Sequence, residues 1–250
     1  MIRKTVFFLL AAAFGHAGQY VERFEGIFED FKYHPLDLIA LFLPEDPVVM
    51  EAGAFDGSDT RHLSAQWPKG TIHSFEPNPH AFGLWSMKTK DCANVQGHHL
   101  ALNTYNGNAV FYVCHGSTGD NPVFEGASSL LASSEWMKHN YRGPEIVVPC
   151  VVLDDWCDAN GISRIDFMWI DLEGFELQLF NSSPRILDTV KVIYTETNFR
   201  DFRVGMTQYG ELKEFLQKKG FQLLSHWYAE GFQGNAIFVR SEVLRQSLNL

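Results

Sequence analysis

The sequence is organised around one stretch, Val48-Val-Met-Glu-Ala-Gly-Ala-Phe-Asp-Gly-Ser-Asp-Thr60. A short apolar run ends in Glu51, Gly53 and Gly57 bracket a turn, and the residues that follow can continue as a helix. A strand, a glycine turn and a helix in this order are typical of the first unit of a doubly wound α/β sheet. In such sheets the turn lies against a nucleotide or nucleoside, so we expect the ligand site to include it.

The chemistry of this turn favours a cofactor without a diphosphate. The glycines follow a Gly-x-x-x-Gly spacing, whereas closing a backbone on a pyrophosphate calls for Gly-x-Gly-x-x-Gly. Acids at Glu51, Asp56 and Asp59 would also repel a diphosphate. S-adenosylmethionine, which carries a sulfonium and an ammonium group, suits an acidic turn better. A nicotinamide-dependent oxidoreductase is a rival interpretation that the spacing and the acids count against.

Composition limits the classes of protein to consider. A chain of 250 residues that is 46% hydrophobic can bury one large core. A net charge of −10 without a long Lys/Arg run argues against nucleic acid as a partner, since phosphate contacts need clustered cations. The four cysteines contain no Cys-x-x-Cys pair, which argues against a zinc site. Cys150 and Cys157 could form a disulfide in an exported protein; buried free thiols are the alternative.

Residues 1–18 resemble a targeting segment. Arg3 and Lys4 precede an apolar run, and Gly15 and Ala17 are small residues at the spacing of a cleavage site. The apolar run is too short to span a bilayer as a helix. A signal peptide and an N-terminal hydrophobic helix both fit. Export or membrane association through this segment therefore stands beside the cytoplasmic location that the cofactor would favour.

The rest of the chain divides into a helical cap at 19–47, one α/β domain at 48–240 and a tail at 241–250. Asn106-Gly107 predicts a hairpin between two of the strands, and a Gly/Ser/Asn-rich segment at 116–143 is long enough to be functional. The predicted strands after the first are 71–75, 95–102, 109–113, 146–152, 165–170 and 190–194, followed by a terminal hairpin at 221–228 and 236–239.

Acidic residues end four of the predicted strands: Glu51, Glu76, Asp171 and Glu196. Ligands of an open parallel sheet bind beyond the carboxyl ends of its strands, so these acids are expected at one edge. Glu76 ends the strand next to the glycine turn, where an acid accepts the hydroxyls of a ribose.

Asp171 follows the most hydrophobic strand, where an uncompensated carboxylate is costly. One interpretation is a helix cap by Asp171 or Glu173. Others are a general base, or a divalent cation held by Asp171, Glu196 and Asn198. The candidate histidine bases are His73, His98, His99 and His226, and each is more simply interpreted as a satisfied or exposed imidazole.

Residues 48–239 resemble the FkbM family of S-adenosylmethionine-dependent methyltransferases. The resemblance implies a Rossmann-like class I methyltransferase fold: a seven-stranded, mostly parallel sheet with a C-terminal antiparallel hairpin and helices on both faces. It implies methyl transfer to oxygen, usually a hydroxyl of a sugar, glycan or other small-molecule acceptor. The matching pieces are 51–60, Phe75-Glu-Pro-Asn-Pro79, Leu100-Ala-Leu102, Gly126-Ala-Ser-Ser-Leu130, Val152-Leu-Asp-Asp155 and Ile165-Asp-Phe-Met-Trp-Ile-Asp-Leu-Glu-Gly-Phe-Glu176.

Two residues depart from the family pattern: Phe55, where the family often has Asn, and Trp169, where it commonly has Lys. An exported, non-catalytic interaction domain with this fold remains an alternative. The acceptor pocket is expected from 19–47, 116–143 and 199–206, where Trp136, Phe199 and Phe202 suit a sugar or a lipid-linked acceptor; stacking in the core is the alternative for these rings. We predict Asp171 and Glu196 as catalytic residues. The predicted cofactor contacts are Glu51, Gly53, Ala54, Asp56, Gly57, Thr60, Glu76, Pro77, Asn78, Ala101 and Asp171.

Overall fold

The chain alternates strands and helices as the sequence predicts. A computed structural model describes residues 35–116, 125–229 and 232–248. The predictions for residues 1–18, and for most of the cap at 19–47, fall outside the described residues. The strands are β1 Val48–Ala52, β2 Thr71–Phe75, β3 Val95–His98, β4 Ala101–Leu102, β5 Gly107–Tyr112, β6 Glu145–Val151, β7 Phe167–Ile170, β8 Val192–Asn198, β9 Phe221–Ala229 and β10 Gln233–Arg240. The helices are α1 Pro35–Ile39, α2 Ser58–Gln66, α3 Pro79–Thr89, α4 Leu153–Ala159, α5 Glu176–Ser182, α6 Pro184–Leu187, α7 Tyr209–Lys218 and α8 Ser241–Leu248.

Seven strands form the main sheet in the order β3-β2-β1-β7-β8-β10-β9. The five strands from β3 to β8 are parallel, whereas β10 runs antiparallel to β8 and to β9. The strand order reverses between β1 and β7, which is the switch point at which such sheets bind ligands. This confirms the predicted fold class.

Side chains of β1 alternate between two hydrophobic layers. Met50 and Ala52 join a core with Trp156 and Leu179, on the face covered by α4 to α7. Val49 belongs to the core on the opposite face, which α1, α2 and α8 cover. The described end of the N-terminal segment, α1, thus packs on the sheet. Residues 241–248 of the predicted tail form α8, whose Leu244 is buried in the same layer.

The hairpin predicted at Asn106-Gly107 is wrong. The strands on its two sides do not pair with each other; β4 and β5 flank β6, and the three form a second sheet. The Asn106 side chain hydrogen-bonds to the residues that follow β6. Its Oδ1 accepts from the Val152 N–H at 2.7 Å, and its Nδ2 donates to Asp155 at 2.6 Å. The turn residues therefore connect strands separated by the width of β6.

Buried residues account for two further features of the sequence. Trp169 lies in the core and stacks on Tyr194, with ring centroids 4.0 Å apart, so it packs as an apolar residue. Cys150 and Cys157 are both buried free thiols, which contradicts a disulfide between them. Among the described residues, no helix has the length and apolar character that crossing a membrane requires.

Candidate functional site

A cleft opens at the carboxyl edge of β1, β2 and β7, where the fold predicts ligand binding. It is bounded by the β1 turn, the end of β2, the residues that enter β4, the described part of the long segment after β5, and the turn after β7. The lining residues are Ala52, Gly53, Phe55, Phe75, Glu76, Pro77, Leu100, Ala101, Leu102, Phe111, Glu125, Gly126, Ser128, Ser129, Leu130, Asp171, Leu172 and Phe175.

The β1 turn touches both neighbouring strands. The backbone N–H groups of Gly53 and Ala54 donate to the carbonyl of Phe75 at 3.1 and 3.0 Å. Gly53 has a φ of 84°, and a Cβ there would overlap the carbonyl oxygen of Asp171. Only glycine fits this position, because both the left-handed backbone and the close approach exclude a side chain. Gly57, with a φ of 80°, lies against Trp85 of α3 and outside the cleft lining.

Glu76 connects the β1 turn to the start of α3. Its Oε2 accepts from the N–H of Phe55 and its Oε1 from the N–H of Asn78, both at 2.8 Å. Asn78 caps α3 through the N–H of His80 and donates to Glu125 at 2.9 Å. Burial raises the pKa of Glu76 to about 7, although the two backbone donors oppose the shift. Glu76 thus presents a buried carboxylate to the cleft.

Glu51 and Thr60 do not line the cleft, contrary to the prediction of cofactor contacts. Glu51 is fully buried on the sheet face that α2 and α3 cover. Its Oε2 accepts from Thr60 Oγ1 at 2.5 Å and from Ser74 Oγ at 2.6 Å. Burial raises the pKa of Glu51 to about 8. Because side chains alternate along a strand, Glu51 points to the same side of the sheet as Val49 and away from the cleft. Its hydrogen bonds there connect β1 to α2 and β2.

Asp56 is also turned away from the cleft lining. It pairs with Lys88 of α3, which donates in addition to Ser58 Oγ at 2.7 Å, and the Asp56 carboxylate accepts from the Ser58 N–H at 2.9 Å. Asp56 therefore fixes the turn and the start of α2, and Lys88 balances the charge that we expected to face a cofactor.

Three acids meet beyond β7 and β8. Carboxylate oxygens of Asp171, Glu173 and Glu196 lie within 4.8 Å of one another. Asp171 is open to the cleft, Glu196 is half-buried and Glu173 is buried with a φ of 53°. Although Asp171 opens to the cleft, loss of bulk solvent is the main cause that raises its pKa to about 6, as it raises the pKa of Glu173 to about 8. The charge of Asp59 adds to the first shift and that of Asp171 to the second. The pKa of Glu196 is raised well above its usual range for the same reasons.

Neither Asp171 nor Glu173 caps α5. The helix begins after Phe175, and the free amides of Leu172 and Gly174 both donate to Glu176 Oε1 at 3.1 Å. Glu173, which the sequence predicts only as a possible helix cap, is instead a member of the acidic cluster. No short-range pattern indicated this position, because Glu173 reaches the cluster through a left-handed backbone with a φ of 53°.

Asn198, predicted as a metal ligand with Asp171 and Glu196, hydrogen-bonds to Glu196 beside the acidic cluster. Its Nδ2 donates to Glu196 Oε2 at 3.2 Å. Gln233, from β10, donates to Glu196 Oε1 at 3.0 Å and to Asn198 Oδ1 at 3.1 Å. The carboxamide oxygen of Asn198 is therefore engaged. Gln233 carried no sequence signal, because its contact depends on the antiparallel pairing of β10 with β8.

Arg203 is the buried cation nearest to the cluster among the described residues. Its guanidinium donates to the carbonyls of Ala127 and Leu131, the latter at 3.0 Å, and lies 4.6 Å from the centre of the Tyr141 ring. Its Nε is 3.9 Å from Glu173 Oε2. Arg203 thus holds two segments together that were predicted to build the acceptor pocket, 116–143 in its described part and 199–206.

Aromatic side chains lie beside this junction. Trp136 is half-exposed, packs against Phe202 at 5.5 Å and donates from its indole N–H to the carbonyl of Asp201 at 2.9 Å. Phe202 also contacts Phe232, next to Gln233, at 6.3 Å. Phe199 instead packs with Tyr209 and His226, away from Trp136. Trp136, Phe202 and Phe232, which we call the aromatic rim, therefore form one group, with Phe202 next to Arg203 and Phe232 next to Gln233 in the chain.

The candidate histidines lie outside the cleft lining. His73 and His98 approach each other at 3.3 Å between ring nitrogens and pack on Trp156, where burial lowers the pKa of His98 to about 4. His226 shares a hydrogen bond with Thr197 Oγ1 at 2.9 Å. His99 stacks on Phe82 at 4.8 Å. Within the described chain none of the four lines the cleft.

Comparisons with known proteins found methyltransferases among the proteins similar to this chain. A curated relative, the 2-O-methyltransferase NoeI of Sinorhizobium fredii, is 26% identical over 80% of this chain and 82% of its own. Methyltransferase 1 of Beauveria bassiana is 22% identical over 71% of this chain and 73% of its own. Among solved structures, the Methanococcus jannaschii fibrillarin pre-rRNA processing protein aligns with a TM-score of 0.49 and 14% identity, over 84% of this chain and 70% of that one.

The family model of the methyltransferase FkbM domain matches residues 51–223. The match begins at Glu51, within β1, and includes the acids at the ends of β2, β7 and β8. It does not favour a nicotinamide-dependent oxidoreductase. The chain therefore belongs to the FkbM family of methyltransferases.

Proposed function

We propose that this methyltransferase transfers the methyl group of S-adenosylmethionine to a hydroxyl of a sugar or a similar small-molecule acceptor. One observation carries the proposal: Gly53, Glu76 and Asp171 meet at a single cleft of an FkbM-family chain. The glycine allows close approach, one acid suits a ribose, and the other is open to the cleft. The acidic character of the edge fits a cationic donor and disfavours a diphosphate.

The cofactor would lie along the cleft from Glu76 towards Asp171. Each Glu76 oxygen already accepts one backbone hydrogen bond and keeps a further lone pair, so the carboxylate can accept ribose hydroxyls as well. Leu100, Ala101 and Leu102 supply an apolar wall next to Glu76 that suits an adenine ring. Phe55 lines the same cleft, so its ring would contact the cofactor where the family often has Asn.

S-adenosylmethionine supplies a methyl group on a sulfonium, and the sulfur leaves as a neutral thioether when the acceptor oxygen bonds to the methyl carbon. The chain must hold the two reactants in line, which can lower a barrier by about 7 to 11 kcal/mol. It must also take the hydroxyl proton. Asp171 is the better placed base, because Glu196 has both oxygens occupied by amides of Asn198 and Gln233 while Asp171 opens to the cleft.

The aromatic rim supports a sugar acceptor. Trp136 is the most exposed ring of the aromatic rim, at 54%, and the apolar face of a sugar ring packs well on such a surface. The name of the relative NoeI, a 2-O-methyltransferase, is in keeping with oxygen as the methyl acceptor.

Transfer of a labelled methyl group tests the proposal. The purified chain is incubated with methyl-labelled S-adenosylmethionine and parallel panels of sugars, amines and carboxylic acids. We expect the label in an O-methyl ether of a sugar, which NMR identifies, and a loss of at least 100-fold in rate for Asp171→Asn. Label found only on nitrogen or carboxylate, or no binding of S-adenosylmethionine by calorimetry, would overturn the proposal.

A further inference from the structure

The acidic cluster lacks a cation among the described residues that it can bind well. Asp171, Glu173 and Glu196 bring three carboxylates within 4.8 Å. Arg203, whose Nε is 3.9 Å from Glu173 Oε2, directs two other guanidinium nitrogens to the carbonyls of Ala127 and Leu131. The cluster therefore brings three carboxyl groups together beside a guanidinium whose hydrogen bonds go to those two carbonyls.

Glu173 provides an independent observation. It is more than nine-tenths buried, and its Oε2 makes no hydrogen bond among the described residues. The Nε of Arg203 is also buried without a hydrogen bond, yet the two atoms stay 3.9 Å apart. Glu173 thus makes only a long ion pair with Arg203, without a hydrogen bond, and its carboxylate lies beside those of Asp171 and Glu196. A buried oxygen without a hydrogen bond lowers the stability of the folded protein unless a ligand binds to it.

The neighbouring polar groups do not fill this gap. The side-chain amides of Asn198 and Gln233 both donate to Glu196. The Ser129 hydroxyl donates to the backbone carbonyl of Glu173 at 3.2 Å and makes no hydrogen bond to the Glu173 carboxylate. Asp171 keeps its side chain open to the cleft. The cluster is therefore supported from the protein side and open on the side where an acceptor would enter.

We propose that Asp171, Glu173 and Glu196 bind one divalent cation of the hard type, such as Mg²⁺ or Mn²⁺. Three carboxylate oxygens on one side with an open face suit these ions, which retain water or take up substrate oxygens in their remaining positions. The inference rests on the proposed function for its purpose: the acceptor hydroxyl would become a ligand on the open face, next to the methyl group. Asn198, predicted as a ligand, orients Glu196.

Binding of Mn²⁺ alone to the full chain tests the site without relying on activity. After EDTA treatment and dialysis, Mn²⁺ binding is measured by electron paramagnetic resonance and calorimetry. We expect one ion per chain, at least a tenfold weaker affinity in Glu173→Gln, and no change in the control Glu211→Gln, an exposed acid on α7. Circular dichroism checks folding, and Asp171→Asn is the second variant if Glu173→Gln is unfolded.

The outcomes separate this inference from the proposed function. No Mn²⁺ bound at millimolar concentration, or equal affinity in wild type and both variants, would overturn the metal site. If sugar methylation then proceeds undiminished in EDTA, the proposed function stands without the ion. If Mn²⁺ binds as expected but S-adenosylmethionine does not, the metal site stands and the proposed function fails.

Discussion

The carbonyl oxygen of Asp171 occupies the space that a side chain at Gly53 would need. The N–H of Asp171 donates to the carbonyl of Ala52 at 3.0 Å, so the ends of β1 and β7 are in direct backbone contact. This contact sets the width of the cleft at the strand reversal. The glycine turn and the acid after β7 therefore act as one structural unit.

Gly53→Ala should destabilise the protein by more than about 2 kcal/mol, because the Cβ overlaps the carbonyl and the backbone is left-handed. Gly83→Ala is the matched control: Gly83 lies within α3, has open space around a Cβ, and should gain up to about 1 kcal/mol of helix propensity. Urea unfolding measures both. A Gly53→Ala variant as stable as the Gly83→Ala variant would contradict the close approach.

Glu76→Ala should weaken S-adenosylmethionine binding by about 10- to 100-fold, since hydrogen bonds to a charged group contribute about 1.5 to 3 kcal/mol. The substitution also frees the amides of Phe55 and Asn78, so it loosens the turn that faces the cofactor. Calorimetry measures the affinity, with Glu214→Ala on the exposed face of α7 as the control. Equal affinity in the two variants would exclude the ribose role of Glu76.

Glu51→Gln should alter the pH dependence of stability in a defined window. Because burial raises the folded-state pKa from 4.5 to about 8, the folded protein keeps a proton that the unfolded chain releases. The unfolding free energy of the wild type should therefore fall from pH 4.5 to about 8, by at most about 1.4 kcal/mol per pH unit from this group.

The glutamine cannot ionise and keeps an oxygen that accepts from Thr60 and Ser74. Glu51→Gln should therefore gain stability relative to the wild type between pH 5 and pH 8. Urea unfolding at these two values gives the comparison. A difference between the two proteins that does not change with pH would show that Glu51 is ionised in the folded state throughout.

Trp136→Ala should raise the KM for the acceptor about 10-fold and leave the affinity for S-adenosylmethionine unchanged. Trp136 is 54% exposed, so removal of its side chain should cost little stability, and its ring is available to an acceptor on the aromatic rim. Val147→Ala, an exposed residue on β6, is the control for a lost surface side chain. An unchanged acceptor KM would remove Trp136 from the acceptor site.

The sequence by itself determined the order of strands and helices and the acids at the strand ends. Local signals suffice for these features: glycines in a left-handed turn, apolar runs, and Asn78-Pro79 at the start of a helix. They also predicted that Glu76 and Asp171 would share one edge of the sheet, because parallel strands end on the same side.

Only the tertiary structure decided which of the acids face the cleft. The strand β1 is buried on both faces, so its apolar run does not reveal that Glu51 points to the α2 side. Glu173, Arg203 and Gln233 reach the cluster through a left-handed turn, a loop junction and an antiparallel strand, contacts that no short-range pattern encodes. The sequence predicts one strand at 95–102, whereas the structure divides it into β3 of the main sheet and β4 of the second sheet. No local pattern encodes this division, because the partner of β4, strand β6, lies more than forty residues further along the chain.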